Sequence, residues 1–327
     1  MASFRQHGKG WQGRIRRRGY PDITKTFETK ADAEKWARAL ESEIDKGLFT
    51  SINEAQRNTL GDLIARYLAE VTPTMKGATE DNIRLKAIMR KPISRWSMAN
   101  LSAARIAAYR DERLQEVSSG TVIRELAYLS AIINHARREW GINVLNPVQL
   151  VRKPQSPQAR SRVLTDEEVS KLLMALEPTG RRSHWTKPAV QLALATAMRR
   201  GELLSLKWEH IDLQGRTAFL PDTKNGDSRT VPLSSVAVKV LAELPRHISG
   251  VVIPVKYFTL EAAFKRGIRR SGLDGVRFHD LRRTAITRMA EKLPNLIELA
   301  AVSGHKSLMV LKTYYRPSAA ELAKKLG

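Results

Sequence analysis

The stretch "KPAVQLALATAMRRGELLSLKW", residues 187–208, constrains this chain more than any other. Its first half is almost continuously apolar. As a helix it has no polar face to offer water, so it must be buried on most sides. Two arginines and a glutamate follow at once. Burying an unpaired guanidinium is costly, so at least one of Arg199 and Arg200 needs an anionic partner. Glu202, three residues after Arg199, is within reach across one helical turn, either to orient it or to form a purely structural ion pair. Such a segment requires a core large enough to enclose it and a reason to bring charge to its end.

The 327 residues exceed one ordinary core and point to two or three domains. Lys plus Arg number 56 against 33 Asp plus Glu, a formal net charge of +23. That surplus points to a polyanionic partner, most commonly nucleic acid. Cysteine is absent, which excludes disulfides, thiolate metal sites and cysteine nucleophiles. The opening "MASFRQHGKGWQG" has no apolar signal region, and no run approaches ~18 apolar residues, so a cytoplasmic protein without a membrane anchor is expected.

The expected fold is mainly α with small β elements, in three parts. Residues 1–55 read as a small sheet-plus-helix domain: "GWQGRIRRRGY" and "DITKTFETK" form short strands around a Gly-Tyr-Pro-Asp turn. Thr29, with Asp32 three residues on, caps a helix carrying Ala33, Trp36, Ala37, Leu40 and Ile44 at helical spacing. Period-2 geometry puts Arg14, Arg16 and Arg18 on one strand face, either reaching DNA phosphates or a groove, or merely solvated. Gly47 and "TSINEAQRN" read as a linker.

Residues 58–150 read as wholly helical. Leu60, Leu63, Ile64, Tyr67 and Leu68 form one stripe after Thr59, and Ser102 precedes Ile106, Tyr109 and Leu114. Val122, Leu126, Leu129, Ile133 and Ala136 line a longer helix stopped near Gly141 and Pro147. These stripes are ordinary core. "LVRKPQSPQARSR", residues 150–162, reads as a basic linker suited to lie along DNA. The third part, residues 160–327, opens with a Thr165–Glu168 capping box and is helical apart from one hairpin and a short strand at "VVIP". The hairpin is "RTAFLPDTKNGDSRTVPLS", whose Asn-Gly is the strongest short-range hairpin signal.

Some residues fit no structural role. "VRFHDLRRTAITRM" places His279 and Arg282 three apart on one helical face, and "AAVSGHKSLMVLKTYYRP" carries His305 with Tyr314 nine residues later. Singly these signals are weak; their joint order is specific. Arg with Glu at +3, a lysine in an Asn-Gly hairpin, H-x-x-R, Gly-His and Tyr at +9 resembles the tyrosine recombinases, the phage-integrase family, over nearly the whole chain. "AYRDERL…VIRELAYLSAIINHARREWG…NPVQLVRKP" also looks like shufflon-type DNA invertases. One departure is Ala197, where the family frequently has glycine.

The resemblance implies catalytic residues Arg199, Lys224, His279, Arg282 and His305, with Tyr314 as nucleophile, Glu202 in support and Tyr315 as a neighbour. It also implies an N-terminal domain contacting additional DNA sites, a helical core-binding domain at 58–150, and a mixed α+β catalytic domain from about 160. The two inner domains are expected to clamp the duplex.

Phosphodiester attack builds negative charge on the phosphate oxygens, so prearranged positive donors carry the catalysis. Arg199 and Arg282 can grip two oxygens each. His279 and His305 can donate to the same group, and in this family His279 can accept the tyrosine proton. Lys224 can protonate the leaving 5′-oxygen. The implied 3′-phosphotyrosyl intermediate conserves the bond energy, so no cofactor, metal or ATP is expected. The expected partners are double-stranded recombination sites, a homotetramer on DNA, and DNA-bending accessory proteins.

Ala319, Leu322, Ala323 and Leu326 form a stripe expected to dock as a short helix on the same or a neighbouring subunit. The rival readings are a type IB topoisomerase or telomere resolvase, distinguished by lack of strand exchange between duplexes, and a non-catalytic DNA-binding regulator, distinguished by lack of a covalent DNA complex.

Overall fold

A computed structural model describes residues 2–17, 22–45, 52–75, 77–142, 144–180, 183–221, 228–314, 323 and 326. Arg18, Lys224, Tyr315, the Asn225–Gly226 turn, Gly47, and Ala319 and Leu322 of the tail lie outside them. The chain divides into two units, Met1–Ala159 and Arg160–Gly327.

The first unit holds two separate apolar clusters. Strands β1 (Ala2–His7), β2 (Gly10–Ile15) and β3 (Ile23–Phe27) form an antiparallel sheet in that order. Helix α1 (Lys30–Asp45) covers one face, burying Ala33, Ala37, Leu40 and Ile44, with its start capped by Thr29 as expected. The register puts Ser3, Arg5, Gln12, Arg14, Thr24 and Thr26 on the opposite face, a polar surface with two arginines. Arg14 and Arg16 converge on Asp22 at 2.6 and 2.8 Å, so both already have an anionic partner.

The second cluster belongs to the helices. These are α2 (Ile52–Arg57), α3 (Leu60–Glu70), α4 (Ala78–Met89), α5 (Ala103–Glu116) and α6 (Ser119–Glu139). The stripes of α3 and α6 are buried as the spacing predicts, and Thr59 and Ser102 cap α3 and α5. Two readings change here. The polar linker "TSINEAQRN" contains helix α2, because Ala55 docks into the helical core and tertiary burial overrides composition. Leu114 is exposed rather than core, while Glu125 is buried, held by Tyr109 at 2.7 Å and by Arg113 at 2.6 Å.

The second unit is built around the opening segment. Helix α7 (Asp166–Ala175) starts at the Thr165–Glu168 capping box, and α8 (Thr186–Thr196) is the buried apolar helix. Around α8 pack α10 (Ser235–Glu243), α11 (Tyr257–Ser271) and α12 (Phe278–Lys292), together with α7 and the short α9 (Arg200–Ser205). Strands β4 (Ile211–Asp212), β5 (Thr217–Leu220) and β6 (Arg229–Pro232) form a second antiparallel sheet, β5 and β6 being the expected hairpin. "VVIP" makes only an isolated bridge, Val251 to Lys207; Val252 and Ile253 are buried, and Pro254 ends the run without an N–H to donate. The basic linker is also redirected. Arg160 binds Asp280 at 2.8 Å and Arg162 binds Glu168, so two of its arginines turn inward.

Phe264 is 1% exposed, and its ring meets that of Phe278, the residue before His279, at 5.2 Å between centroids. Phe264→Ala should destabilise the second unit by about 3–5 kcal/mol, read as a lowered urea midpoint with the first unit's signal unshifted.

Candidate active site

Helix α8 ends in a tight corner that aims Arg199. Thr196 turns its hydroxyl back to the Leu192 carbonyl at 2.6 Å, and Ala197 adopts a left-handed conformation at φ +53°. Glycine is the low-cost residue there, which accounts for its frequency at this position; alanine adds steric strain, while its methyl is fully buried. Arg199 then caps α9. Its N–H donates to Glu202 Oε2 at 2.8 Å, and its guanidinium donates to Oε1 at 2.7 Å. Arg200 diverges to Glu261 and stacks on Tyr257 at 3.7 Å. Both arginines of the pair therefore have the anionic partner that burial demands.

Helix α12 supplies the next two groups. Asp280 accepts from the Arg277 N–H at 2.8 Å, fixing the first turn, and His279 and Arg282 project from the same face. Arg282 is 3% exposed, and its bonds run to backbone: it donates to the Ala197 carbonyl and, at 2.6 Å, to the Ser303 carbonyl. Burial, then the charge of Arg199, pushes its guanidinium down to about 10. A cation under that load favours an incoming anion. Arg199, His279 and Arg282 line one cleft of about 370 Å³, together with Met198, Tyr257 and Phe278.

Helices α13 (Leu296–Ser303) and α14 (Leu308–Leu311) bring in the rest. Gly304, at φ +68°, ends α13 and turns the chain into His305. Ser303 gives its hydroxyl hydrogen to the Leu299 carbonyl at 2.6 Å, so its oxygen can only accept from His305 Nδ1, 2.8 Å away. That places the proton of the neutral ring on Nδ1 and leaves Nε2 open. Burial, then Arg282 and Arg199, pushes His305 down to about 4. His279 is exposed, but partial desolvation and then Arg282 hold it below the ordinary histidine value.

Tyr314 lies one turn beyond α14. Its ring is 5.8 Å from that of His305 and 4.7 Å from the Arg283 guanidinium. Leu311 is the buried anchor of this segment, whereas Leu308, Met309 and Val310 are 44%, 69% and 46% exposed.

Arg199, Glu202, His279, Arg282, His305 and Tyr314 thus come together, from four separate stretches of the sequence. Arg14 and Arg16 belong to the first unit. Sequence reasoning missed Arg229, which donates to both oxygens of Glu202 at 2.9 and 2.8 Å. It shares strand parity with buried Val231 and Leu233, so an arginine on an inward strand face was the available signal. Also missed was Ser303, for which no sequence signal existed.

Residues 162–321 match the model described as phage integrase family, and residues 56–154 match phage integrase, N-terminal domain. A Haemophilus influenzae protein named as an integrase/recombinase is 37% identical over 98% of this chain and 89% of its own length. The chain belongs to the phage integrase family. It is a tyrosine recombinase, an enzyme of site-specific DNA recombination, which favours that reading over the topoisomerase, resolvase and regulator alternatives. The shufflon-specific DNA recombinase of Escherichia coli is 39% identical over 83% of this chain and 72% of its own length. Among solved structures, the lambda integrase dimer bound to a COC′ core site is 25% identical, with a TM-score of 0.64 over 80% of this recombinase and 97% of that chain.

The site has a pH signature. An unfolded His305 takes up its proton near 6.5, the folded one only near 4, so between those values the unfolded chain holds the extra proton. The residue therefore lowers stability as pH falls from 6.5 to 4. Glu202, held down to about 2 despite burial by Arg229 and Arg199, stabilises fully above 4.5 and loses that contribution as pH falls toward 2. We expect the NMR titration of His305 in the DNA-free recombinase to have its midpoint near 4, and His305→Ala to flatten the stability slope between pH 6.5 and 4. A midpoint near 6.5 would contradict the geometry described.

Proposed function

We propose that the recombinase cleaves and rejoins double-stranded DNA with Tyr314 as nucleophile and Arg199, Lys224, His279, Arg282 and His305 as the phosphate-activating set, with Glu202 in support. The observation that carries this reading is the convergence of Arg199, His279 and Arg282 on one cleft, with Tyr314 packed beside His305. The Tyr314 oxygen attacks the scissile phosphorus and gives its proton to His279. The bond from phosphorus to the 5′-oxygen breaks as Lys224 protonates that oxygen. A 3′-phosphotyrosine and a free 5′-hydroxyl result, and attack by a partner strand's 5′-hydroxyl reverses the step on new ends. Arg199 and Arg282 compensate charge on the non-bridging oxygens throughout.

In the same reading, residues 1–55 form an arm-type DNA-binding domain, 58–150 a core-binding domain and 160–327 the catalytic domain. The polar face around Arg5 and Arg14 suits DNA contact once Asp22 releases its partners. Arg16 and Arg18 extend the same basic segment. The lambda integrase dimer on a core site supports assembly of several subunits on DNA. Two duplexes have four strands to cut and each subunit brings one nucleophile, so a homotetramer is the working form. A cytoplasmic setting and DNA-bending accessory proteins complete the proposal, with the C-terminal stripe docking within or between subunits.

A suicide substrate, nicked so that the cleaved 5′ fragment diffuses away, should trap the protein on a DNA 3′ end. Tyr314→Phe should abolish trapping while leaving binding within about twofold. Persistent covalent product in that variant, lost only on Tyr315→Phe, would move the nucleophile to the neighbouring tyrosine.

A further inference from the structure

Arg229 meets the candidate site at two places, the Glu202 carboxylate and the Gly304 turn, both also reached by Arg199. It begins β6, the strand that returns from the Lys224 hairpin, and its side chain is 13% exposed. Both terminal nitrogens bind the Glu202 carboxylate, which Arg199 also holds. Its other neighbour is the turn before His305. A Cβ placed on Gly304 would lie 2.7 Å from the Arg229 Cζ and Nη1, and 2.8 Å from its Nε. The guanidinium thus grips a carboxylate with its two terminal nitrogens and has a backbone turn packed against it. Gly304 is needed there twice, for its positive φ and for the space.

We infer that Arg229 is a positioning residue for strand cleavage, setting Arg199 through Glu202 and His305 through the Gly304 turn, and tying both to strand β6, five residues after Lys224 in the sequence. The inference rests on the proposed roles of those three residues. Three features make it more than an ion pair. The contact is bidentate, so it fixes the carboxylate plane as well as its place. Glu202 is 4% exposed, so water cannot substitute for a lost partner. The contact also joins segments 27 residues apart in sequence, so a shift of β6 is passed directly to the carboxylate that orients Arg199. Lysine keeps the charge but cannot reproduce the fork.

The test uses the full chain and the suicide substrate under single-turnover conditions, with saturating protein. Arg229→Gln should leave DNA affinity within about threefold while slowing covalent-complex formation on the order of 100-fold, the cost of misplacing catalytic groups by about 1 Å. Arg229→Lys, which keeps the buried charge and guards against simple misfolding, should slow it less but still by about tenfold. Arg229→Ala should recover part of its rate on adding guanidinium ion at non-denaturing concentration. Gly304→Ala and Arg229→Ala should combine to less than the product of their separate losses, because removing the guanidinium frees the space the new methyl needs.

Wild-type cleavage rates in both Arg229→Gln and Arg229→Lys, or strictly multiplicative losses in the double variant, would overturn the inference. Tyr314→Phe run alongside separates the two proposals. If it abolishes trapping while the Arg229 variants remain fast, only the role of Arg229 fails; if it still traps, the assignment of the nucleophile fails.

Discussion

The carboxylate of Glu202 is the constraint on which the rest of the second unit depends. Three guanidiniums, those of Arg199, Arg229 and Arg282, approach one small region, and like charges at such separations repel strongly in a partly dry environment. One buried anion, bound by two of them, makes the arrangement tolerable. It does not neutralise the site. Arg282 is left to backbone carbonyls, and its depressed pKa, like that of His305, records burial first and then the positive field of the neighbouring arginines. The DNA-free site is thus held in a state that a phosphate relieves, and the same donors need little rearrangement when charge builds on that phosphate.

The fold was largely readable because its signals are local and periodic. The apolar helix at 186–196, the stripes of α3 and α6, the Thr165 capping box and the two strands beside Asn-Gly all follow from spacing and turn chemistry. What escaped was decided by tertiary contact. Ala55 makes a helix of a polar stretch by docking on a core formed far along the chain. Val251 fails to become a strand because its neighbour offers one bridge and Pro254 follows.

The candidate site divides in the same way. Residues whose chemistry is unusual for their surroundings, such as Arg199 after an apolar helix, announced themselves, and the family pattern linked them across more than a hundred positions. Arg229 and Ser303 act through other residues. Ser303 is an ordinary side chain in an ordinary context and Arg229 shows only the parity of an inward strand face, so the meaning of each appears when the hairpin and the Gly304 turn meet Glu202 and His305. Arg160 is a similar case: a linker arginine by composition, it is a clamp on Asp280 by geometry, one residue from His279.

The segment bearing Tyr314 is held differently from everything around it. The arginines and histidines sit on helices and turns fixed by several bonds each, whereas α14 is a single turn pinned by one fully buried leucine, with three apolar neighbours facing outward. Opening of residues 308–314 therefore breaks the burial of Leu311 and the packing of Tyr314 beside His305 and Arg283, a local cost smaller than the global stability of the unit. Amides there should exchange with solvent while the cleft behind them stays protected. Tyr314 can thus be withdrawn or presented without disturbing the charges of the cleft.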